Sequence, residues 1–133
     1  MANLRQSILI RTDLGFPTGL LTAQVAHLHF EPFRKKIYSL PEPGEAVFQS
    51  EELDWMPDPY LFIHEVKNIE SLEHYIKKAK EAGVNVHQWR DTVYIKMSDT
   101  QTEAIPNVLV GVSLGPCDSD KIKTVIGDLP LLK

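Results

Sequence analysis

The chain has 133 residues, of which 43% are hydrophobic and 24% are charged, and its formal net charge is −4. This length and composition predict one globular domain over residues 1–133, and the longest apolar run is far too short to cross a bilayer. The negative charge excludes a surface that is basic overall, which is the usual footprint of a nucleic-acid-binding protein.

The N-terminal residues contain no apolar segment of the kind found in a signal peptide, and Cys117 is the only cysteine. We therefore expect a cytoplasmic protein without an intramolecular disulfide. Cys117 follows Gly115-Pro116, and no histidine can be assigned to it from the sequence. This context favours a structural thiol over a nucleophile.

The first elements of the chain are predicted to be a strand and a helix separated by a turn. The short apolar run at Ser7–Ile10 is rich in β-branched residues and is typical of a strand. After the turn, apolar residues recur at the spacing of a buried helix face: Leu21, Val25 and Leu28. The opposite face, within a stripe roughly 60° wide, carries Leu20, Gln24 and His27.

The segment from Pro32 to Pro59 is rich in proline and polar residues. It predicts a helix end followed by a long loop. Within that loop Glu51–Trp55 predicts a short helical turn, with Trp55 attaching the loop to the body of the protein.

The second half of the chain returns to alternating strands and helices. Strands are predicted at Tyr60–Val66, near Val84–Trp89 with a bend at Arg90-Asp91, and at Val108–Val112. Helices are predicted after Asn68 and after Asp118, two residue types that favour helix starts. The resulting order, β-α-β-α-β-β-α, indicates an α/β fold with a four-stranded mixed sheet between helices.

The turn and first helix also contain a recognisable motif. Without a gap, residues 11–28 resemble the signature of the type 2 peptidyl-tRNA hydrolase family, R-x-D-L-x-M-x-x-G-K-x-x-A-Q-x-x-H-A. The matching residues are Arg11, Asp13, Leu14, Gly19, Ala23, Gln24 and His27. Three residues differ from it: Phe16 replaces methionine, Leu20 replaces lysine, and Leu28 replaces a small residue.

The resemblance covers nearly the whole chain, because later landmarks of the family follow in the same order. They are Trp55, Ala82-Gly83, Arg90-Asp91, Gly115-Pro116 and the leucine-containing tail at residues 127–132. The family's second motif, R-D-A-G-x-T, is present here only as Arg90-Asp91, and the following connection is longer. The resemblance implies the α/β fold of that family.

The resemblance further implies hydrolysis of the ester between a peptide and tRNA, with peptidyl-tRNA or a related tRNA as partner. This chemistry needs an activated water and stabilisation of an oxyanion. The candidate catalytic residues are His27, Asp91, Gln24 and Asp13, and the candidate substrate-binding residues are Arg11, Thr18, Gly19 and Arg90. The resemblance also implies a homodimer, with contacts in the first helix and in Pro32–Pro59.

Each candidate has an assigned role. His27 is a candidate base, with the carboxylate of Asp91 or Asp13 orienting its second ring nitrogen. The amide of Gln24, with backbone N–H groups near Thr18 and Gly19, is a candidate binder of the oxyanion or of a phosphate. The structural alternatives are that Asp13 caps the turn and that Asp91 stabilises the bend.

The remaining basic residues, histidines and glycines indicate what else the chain can bind. The basic groups Arg34–Lys36 and Lys77–Lys80 either line a cleft or belong to solvated helix faces. No metal is expected, because His27 and His29 point about 200° apart on a helix. The glycines form no nucleotide-binding pattern, so no cofactor is expected. Because Leu20 replaces the lysine, the alternative function is a non-catalytic relative that binds a protein or RNA.

Overall fold

The structure is a computed structural model that describes residues 3–38 and 47–133. Within these ranges the strands are β1 (Leu4–Arg11), β2 (Tyr60–Val66), β3 (Val86–Lys96) and β4 (Thr102–Asp118). The helices are α1 (Thr18–Tyr38), α2 (Ser50–Trp55), α3 (Ile69–Glu81) and α4 (Ser119–Ile126). None of these helices is long and apolar enough to cross a bilayer.

The strands form one mixed sheet in the order β2-β1-β4-β3. β1 is parallel to β2 and antiparallel to β4, and β4 is antiparallel to β3. The predicted α/β architecture with a four-stranded mixed sheet is therefore confirmed. Because β1 has a neighbour on each side, its residues 5–10 are all buried.

Alternating side chains of the sheet build two apolar layers. On one face, the buried residues Ile8, Ile10 and Val110 pack with Leu28 of α1. On the other face, Leu9 and further sheet residues pack with α3 and α4. Gly111 permits the close approach of α1, because a Cβ there would lie 2.5 Å from the Leu9 carbonyl oxygen and 2.8 Å from the Leu28 side chain.

The helix that follows the turn is longer than the sequence predicts. The expected helix end at Pro32 is wrong, because α1 continues through this proline to Tyr38. Proline removes one backbone hydrogen bond from a helix interior, but here Glu31 and Pro32 are both buried against the body of the protein. Tertiary packing therefore outweighs the local preference of proline.

Only part of the predicted loop at Pro32–Pro59 can be compared, because residues 39–46 lie outside the described residues. The predicted helical turn is confirmed as α2. Trp55 is 4% exposed, and its Nε1 donates to the Tyr60 carbonyl oxygen at 3.0 Å. This hydrogen bond ties the end of α2 to the start of β2.

The last two strands form a long hairpin. The polar residues after Asp91 lie in its arms and in its tip at residues 97–101, where the Met97 N–H donates to the Gln101 carbonyl oxygen at 2.9 Å. The register of β3 against β4 shifts between Trp89 and Arg90 and again between Asp91 and Val93. These irregularities lie where the sequence predicts a bend, and such bulges change the direction of the side chains beside them.

Candidate active site

A cavity of about 370 Å³ lies between the turn after β1, the start of α1 and β3. Its walls combine apolar residues from the turn with polar residues from α1 and β3. They are Leu14, Gly15, Phe16, Pro17, Leu20, Gln24, Asp91, Thr92, Val93 and Tyr94. The cavity thus joins the signature segment to the Arg-Asp pair, which are more than 60 residues apart in the chain.

Gln24 is the central polar residue of this cavity and is only 2% exposed. Its Nε2 donates to Asp91 Oδ2 at 3.0 Å, and its Oε1 accepts from Trp89 Nε1 at 2.7 Å. These two contacts define the orientation of the amide, because an indole N–H can only donate and a carboxylate oxygen accepts. An amide nitrogen carries two N–H donors, and Gln24 directs only one of them to Asp91.

Asp91 is held by two donors. Its Oδ1 accepts from the Thr92 backbone N–H at 2.8 Å, while its Oδ2 accepts from Gln24. Each carboxylate oxygen has two lone pairs, so Asp91 retains acceptor capacity toward the cavity. The bond to Thr92 is also what the structural alternative predicts, since it stabilises the irregular part of β3.

His27 lies beside this network, and its side chain is exposed to solvent. Its ring stacks on the indole of Trp89, with ring centroids 4.4 Å apart and an interplanar angle of 18°. In the described part of the chain no hydrogen bond joins His27 to Asp91 or Asp13. Trp89 therefore connects His27 to Gln24, a link that the sequence did not reveal, although the tryptophan directly precedes the Arg-Asp pair.

Arg11 and Asp13 form a separate pair at the end of β1. Arg11 Nε and one terminal nitrogen donate to the two Asp13 oxygens at 2.9 and 2.7 Å, and the other terminal nitrogen donates to the Leu109 carbonyl oxygen at 3.1 Å. Such a two-bond pairing holds both side chains in one geometry. Neither residue lines the cavity, so the structure does not bring Asp13 together with Gln24 and Asp91.

The start of α1 borders the same cavity. The first N–H groups of a helix have no acceptor within the helix, and α1 has no acidic residue in its first turn. Thr18 and Gly19 are exposed, and a Cβ on Gly19 would meet no atom within 4 Å. Leu20 lines the cavity and is 45% exposed, so the position of the signature lysine leaves room for a longer side chain.

Basic residues lie on the other side of β3. Lys77 and Lys80 of α3 line a second cavity of about 380 Å³ together with Arg90, Glu73 and Glu81 among others. Arg90 donates to the Asn107 carbonyl oxygen at 3.2 Å. Lys77 and Lys80 thus border a cleft and are also exposed on the solvated face of α3, so both interpretations of this basic group apply.

The second basic group, in the last turns of α1, is paired with buried carboxylates. Arg34 donates to Glu31 at 2.7 and 2.8 Å, which raises the pKa of the Arg34 guanidinium, and Lys36 contacts Glu52. Arg34 and Lys36 therefore form ion pairs with carboxylates of the protein itself.

Two further predictions concern groups outside the cavity. Burial raises the pKa of the Cys117 thiol to about 11, so this side chain is protonated near neutral pH, as a structural thiol would be. The His29 ring donates through Nδ1 to Gln6 Oε1 at 2.6 Å, and burial lowers its pKa. Within residues 3–38 and 47–133, no group of three or more His, Cys, Asp or Glu side chains has the arrangement of a metal site.

In this fold the strand–helix signature, through Gln24, meets the later Arg-Asp pair, through Asp91, at the wall of one polar cavity. Residues 4–132 match the family model described as Peptidyl-tRNA hydrolase PTH2, so the chain belongs to this family. It is 30% identical to the peptidyl-tRNA hydrolase of Staphylothermus marinus, over 96% of this chain and 94% of the relative. It is 26% identical to that of Methanothermobacter thermautotrophicus, over 97% of this chain and all of the relative.

Proposed function

We propose that this protein is a peptidyl-tRNA hydrolase, which cleaves the ester between a peptide and tRNA in the cavity between α1 and β3. The observation that carries the proposal is the hydrogen bond between Gln24 and Asp91. It joins the family signature to the Arg-Asp pair at the wall of a cavity that can hold water. The curated relatives named above carry the same activity in their names.

Asp91 is the proposed general base. It takes a proton from a water molecule as the water oxygen attacks the ester carbonyl carbon. The ester C–O bond then breaks, and the same proton passes from Asp91 to the leaving tRNA oxygen, which releases the peptide acid and the tRNA hydroxyl. The spare N–H of Gln24 and the free N–H groups at the start of α1 are the proposed donors to the oxyanion. Gln24 additionally orients the Asp91 carboxylate.

His27 is the second candidate base. Its exposed ring, stacked on Trp89, lies outside the cavity wall and is accessible to a bound substrate. Asp13 is proposed to shape the turn through its pair with Arg11. In this proposal Arg11 supports substrate binding indirectly, because its three nitrogens each already donate to Asp13 or to the Leu109 carbonyl oxygen.

The tRNA backbone is proposed to contact Thr18 and Gly19 at the helix start and the basic cleft formed by Lys77, Lys80 and Arg90. Phosphate contacts by lysine and arginine release counterions, so binding should weaken as salt is added. The cleft is locally basic in a chain of net charge −4, since it is lined by Lys77, Lys80 and Arg90 against the carboxylates of Glu73 and Glu81.

The decisive experiment measures peptide release from an N-blocked aminoacyl-tRNA. We expect Asp91→Asn and His27→Ala each to reduce turnover by roughly 10²-fold or more, as for a base or the group that assists it. Asp99→Asn is the matched control, because Asp99 lies at the hairpin tip with a fully exposed side chain and should not alter turnover. A parent protein without release above background would overturn the proposal.

The second candidate function is a non-catalytic relative that binds a protein or RNA. The observation that favours it is Leu20, an apolar side chain at the cavity wall where the family signature has lysine. The two functions differ in one result: an inactive parent that remains inactive after Leu20→Lys, while still binding tRNA, would support the binding role.

We further propose a cytoplasmic homodimer. Phe30 and Ile37, seven residues apart on α1, are 47% and 46% exposed and supply an apolar face for self-association. A cytoplasmic location follows from the proposed substrate, which is a product of translation. Sedimentation at tens of micromolar that returns the mass of one chain would contradict the dimer, because a standard-sized interface should hold at about that concentration.

A further inference from the structure

Arg5 lies near the start of β1 and is only 6% exposed. Its guanidinium carbon lies 4.8 Å from the centre of the Phe62 ring. Among residues 3–38 and 47–133 it makes no side-chain hydrogen bond and has no carboxylate within 4.0 Å, and its Nε is buried without a partner. A cation–π contact of this kind uses none of the N–H donors of the guanidinium, and no described residue accepts from them.

A buried charge without a partner is costly, because it loses its hydration without gaining an ion pair. The groups around Arg5 do not supply the missing negative charge. The Cys117 thiol is protonated, and the pKa of His64 is lowered mainly by burial and further by Arg5 itself. The nearby Asp118 carboxylate accepts from the Asp120 N–H at 3.0 Å and caps α4.

The guanidinium lines a cavity of about 210 Å³. Its walls come from the N-terminal end of β1, from β2 and from the first residue of α4: Asn3, Leu4, Arg5, Tyr60, Phe62 and Ser119. At about 30 Å³ per water molecule it holds about seven waters, which is too small for a drug-sized ligand or a nucleotide. At the start of α4 the Ser119 N–H donates to the Asn3 carbonyl oxygen at 2.6 Å and the Asp120 N–H donates to the Asp118 carboxylate, so Arg5 supplies the positive charge of this cavity.

We propose that this cavity binds a small oxyanion, a carboxylate or a phosphate, held by the Arg5 guanidinium beside the start of α4. The planar fork of an arginine accommodates two oxygens of such a group, which is the partner that residues 3–38 and 47–133 do not provide. The Phe62 ring holds the guanidinium from one side. Tyr60, which is 57% exposed, stands at the mouth of the cavity.

This site is separate from the proposed catalytic cavity. Arg5 and Arg11 lie six residues apart on one strand, or about 20 Å at the usual rise per residue. The Arg5 cavity also adjoins α4, whereas the catalytic cavity adjoins α1. Binding at Arg5 can therefore be tested whether or not the protein hydrolyses peptidyl-tRNA.

The test is a titration of the ¹⁵N-labelled protein with inorganic phosphate and, in a second arm, with acetate, each at constant ionic strength maintained with sodium chloride. We expect saturable shifts of the amides of Arg5, Phe62 and Ser119 in at least one arm. The arm with the tighter binding distinguishes a phosphate from a carboxylate ligand. Arg5→Gln should weaken that binding by about tenfold or more, the effect of losing a charge-assisted bidentate contact.

Arg34→Gln is the matched control, because Arg34 is exposed to solvent and already paired with Glu31, so the affinity should not change. Arg5→Lys keeps the charge but loses the planar fork, and it should also weaken binding. This variant decides the test if Arg5→Gln does not fold. Shifts that fail to saturate in both arms, or equal affinities for the parent and the Arg5 variants, would overturn the proposal.

Discussion

The two ends of β1 each carry an arginine, and the two side chains differ in their hydrogen-bond partners. Arg11 donates to both oxygens of Asp13 and to the Leu109 carbonyl oxygen, whereas Arg5 is more deeply buried and donates to no described residue. A cation that is paired within the chain stabilises local structure. A buried cation that the described residues leave unpaired, as Arg5 is, is instead available to a ligand, so we infer different roles for the two ends of this strand.

The largest change in activity is expected at the Arg11 end of β1, where polar groups pair with one another. Gln24→Glu replaces the amide that donates to Asp91 by a second carboxylate at about the same 3.0 Å separation. Like charges this close repel and displace the proposed base, so turnover should fall by roughly 10²-fold or more. Gln101→Glu at the exposed hairpin tip is the control, and a fully active Gln24→Glu enzyme would contradict the role of this pair.

The second prediction compares the two arginines through the free energy of unfolding. Arg11→Gln leaves Asp13 and the Leu109 carbonyl oxygen without their charged donor and should cost about 1–2 kcal/mol, a reduced value because Asp13 is partly exposed. Arg5→Gln removes a charge that has no described partner and should cost less, or stabilise the protein in buffer without phosphate or carboxylate. Urea denaturation of both variants measures the difference. Equal losses in the free energy of unfolding would contradict the view that only Arg11 is paired within the protein.

The third prediction concerns pH at the Arg5 end. His64 Nδ1 donates to the Leu129 carbonyl oxygen at 3.0 Å, while burial, and to a smaller extent Arg5, lowers the pKa of this histidine. The charged form is thus less favourable in the folded state than in the unfolded state, where the pKa is near 6.5. The neutral His64 ring therefore contributes to the free energy of unfolding above about pH 6.5, and this contribution is lost as the pH falls below that value.

Unfolding by urea at a series of pH values between neutral and mildly acidic measures this loss. His64→Gln should reduce the pH dependence, whereas His74→Gln, at an exposed position of α3, should leave it unchanged. Arg5→Gln should raise the pKa of His64, because one of the causes of its depression is removed. A pKa of His64 that is unaffected by Arg5→Gln would show that the two side chains do not interact.

The smallest expected effect is a gain. Leu20→Lys places a cation at the wall of the proposed catalytic cavity and should tighten tRNA binding or raise activity, with a salt dependence steeper by about one phosphate contact. Leu53→Lys, at a half-exposed position of α2, is the control for an added charge elsewhere. Equal effects of the two lysines would show that Leu20 does not lie on the substrate path.

The secondary structure and one helix face could be predicted from the sequence, because both depend on patterns of neighbouring residues. The helical spacing of Gln24 and His27, and the order of strands and helices, follow from periodicities within short windows. Pro32 was misleading, since its burial depends on contacts that no short window contains. The Trp89–Gln24 bond was equally inaccessible, because the two residues are 65 positions apart.

The burial of Arg5 also could not be predicted from the sequence. A single arginine before an apolar run has no feature that separates it from a solvent-exposed residue. Its burial arises because β1 begins at Leu4, earlier than the apolar run suggests, and because β2 and β4 flank it on both sides. The side chains of Phe62 and Cys117, which surround the guanidinium, come from those later strands.

The strand order also has a consequence for the growing chain at the ribosome. β4 lies between β1 and β3, so the strand that carries Asp91 has no place in the sheet until Thr102–Asp118 has been synthesised. Pairings between distant segments form late and slowly compared with local ones. A nascent chain that ends before β4 already contains Gln24 and Asp91 but lacks the strand that places β3 in the sheet, so the proposed catalytic cavity is assembled only after Thr102–Asp118 has been synthesised.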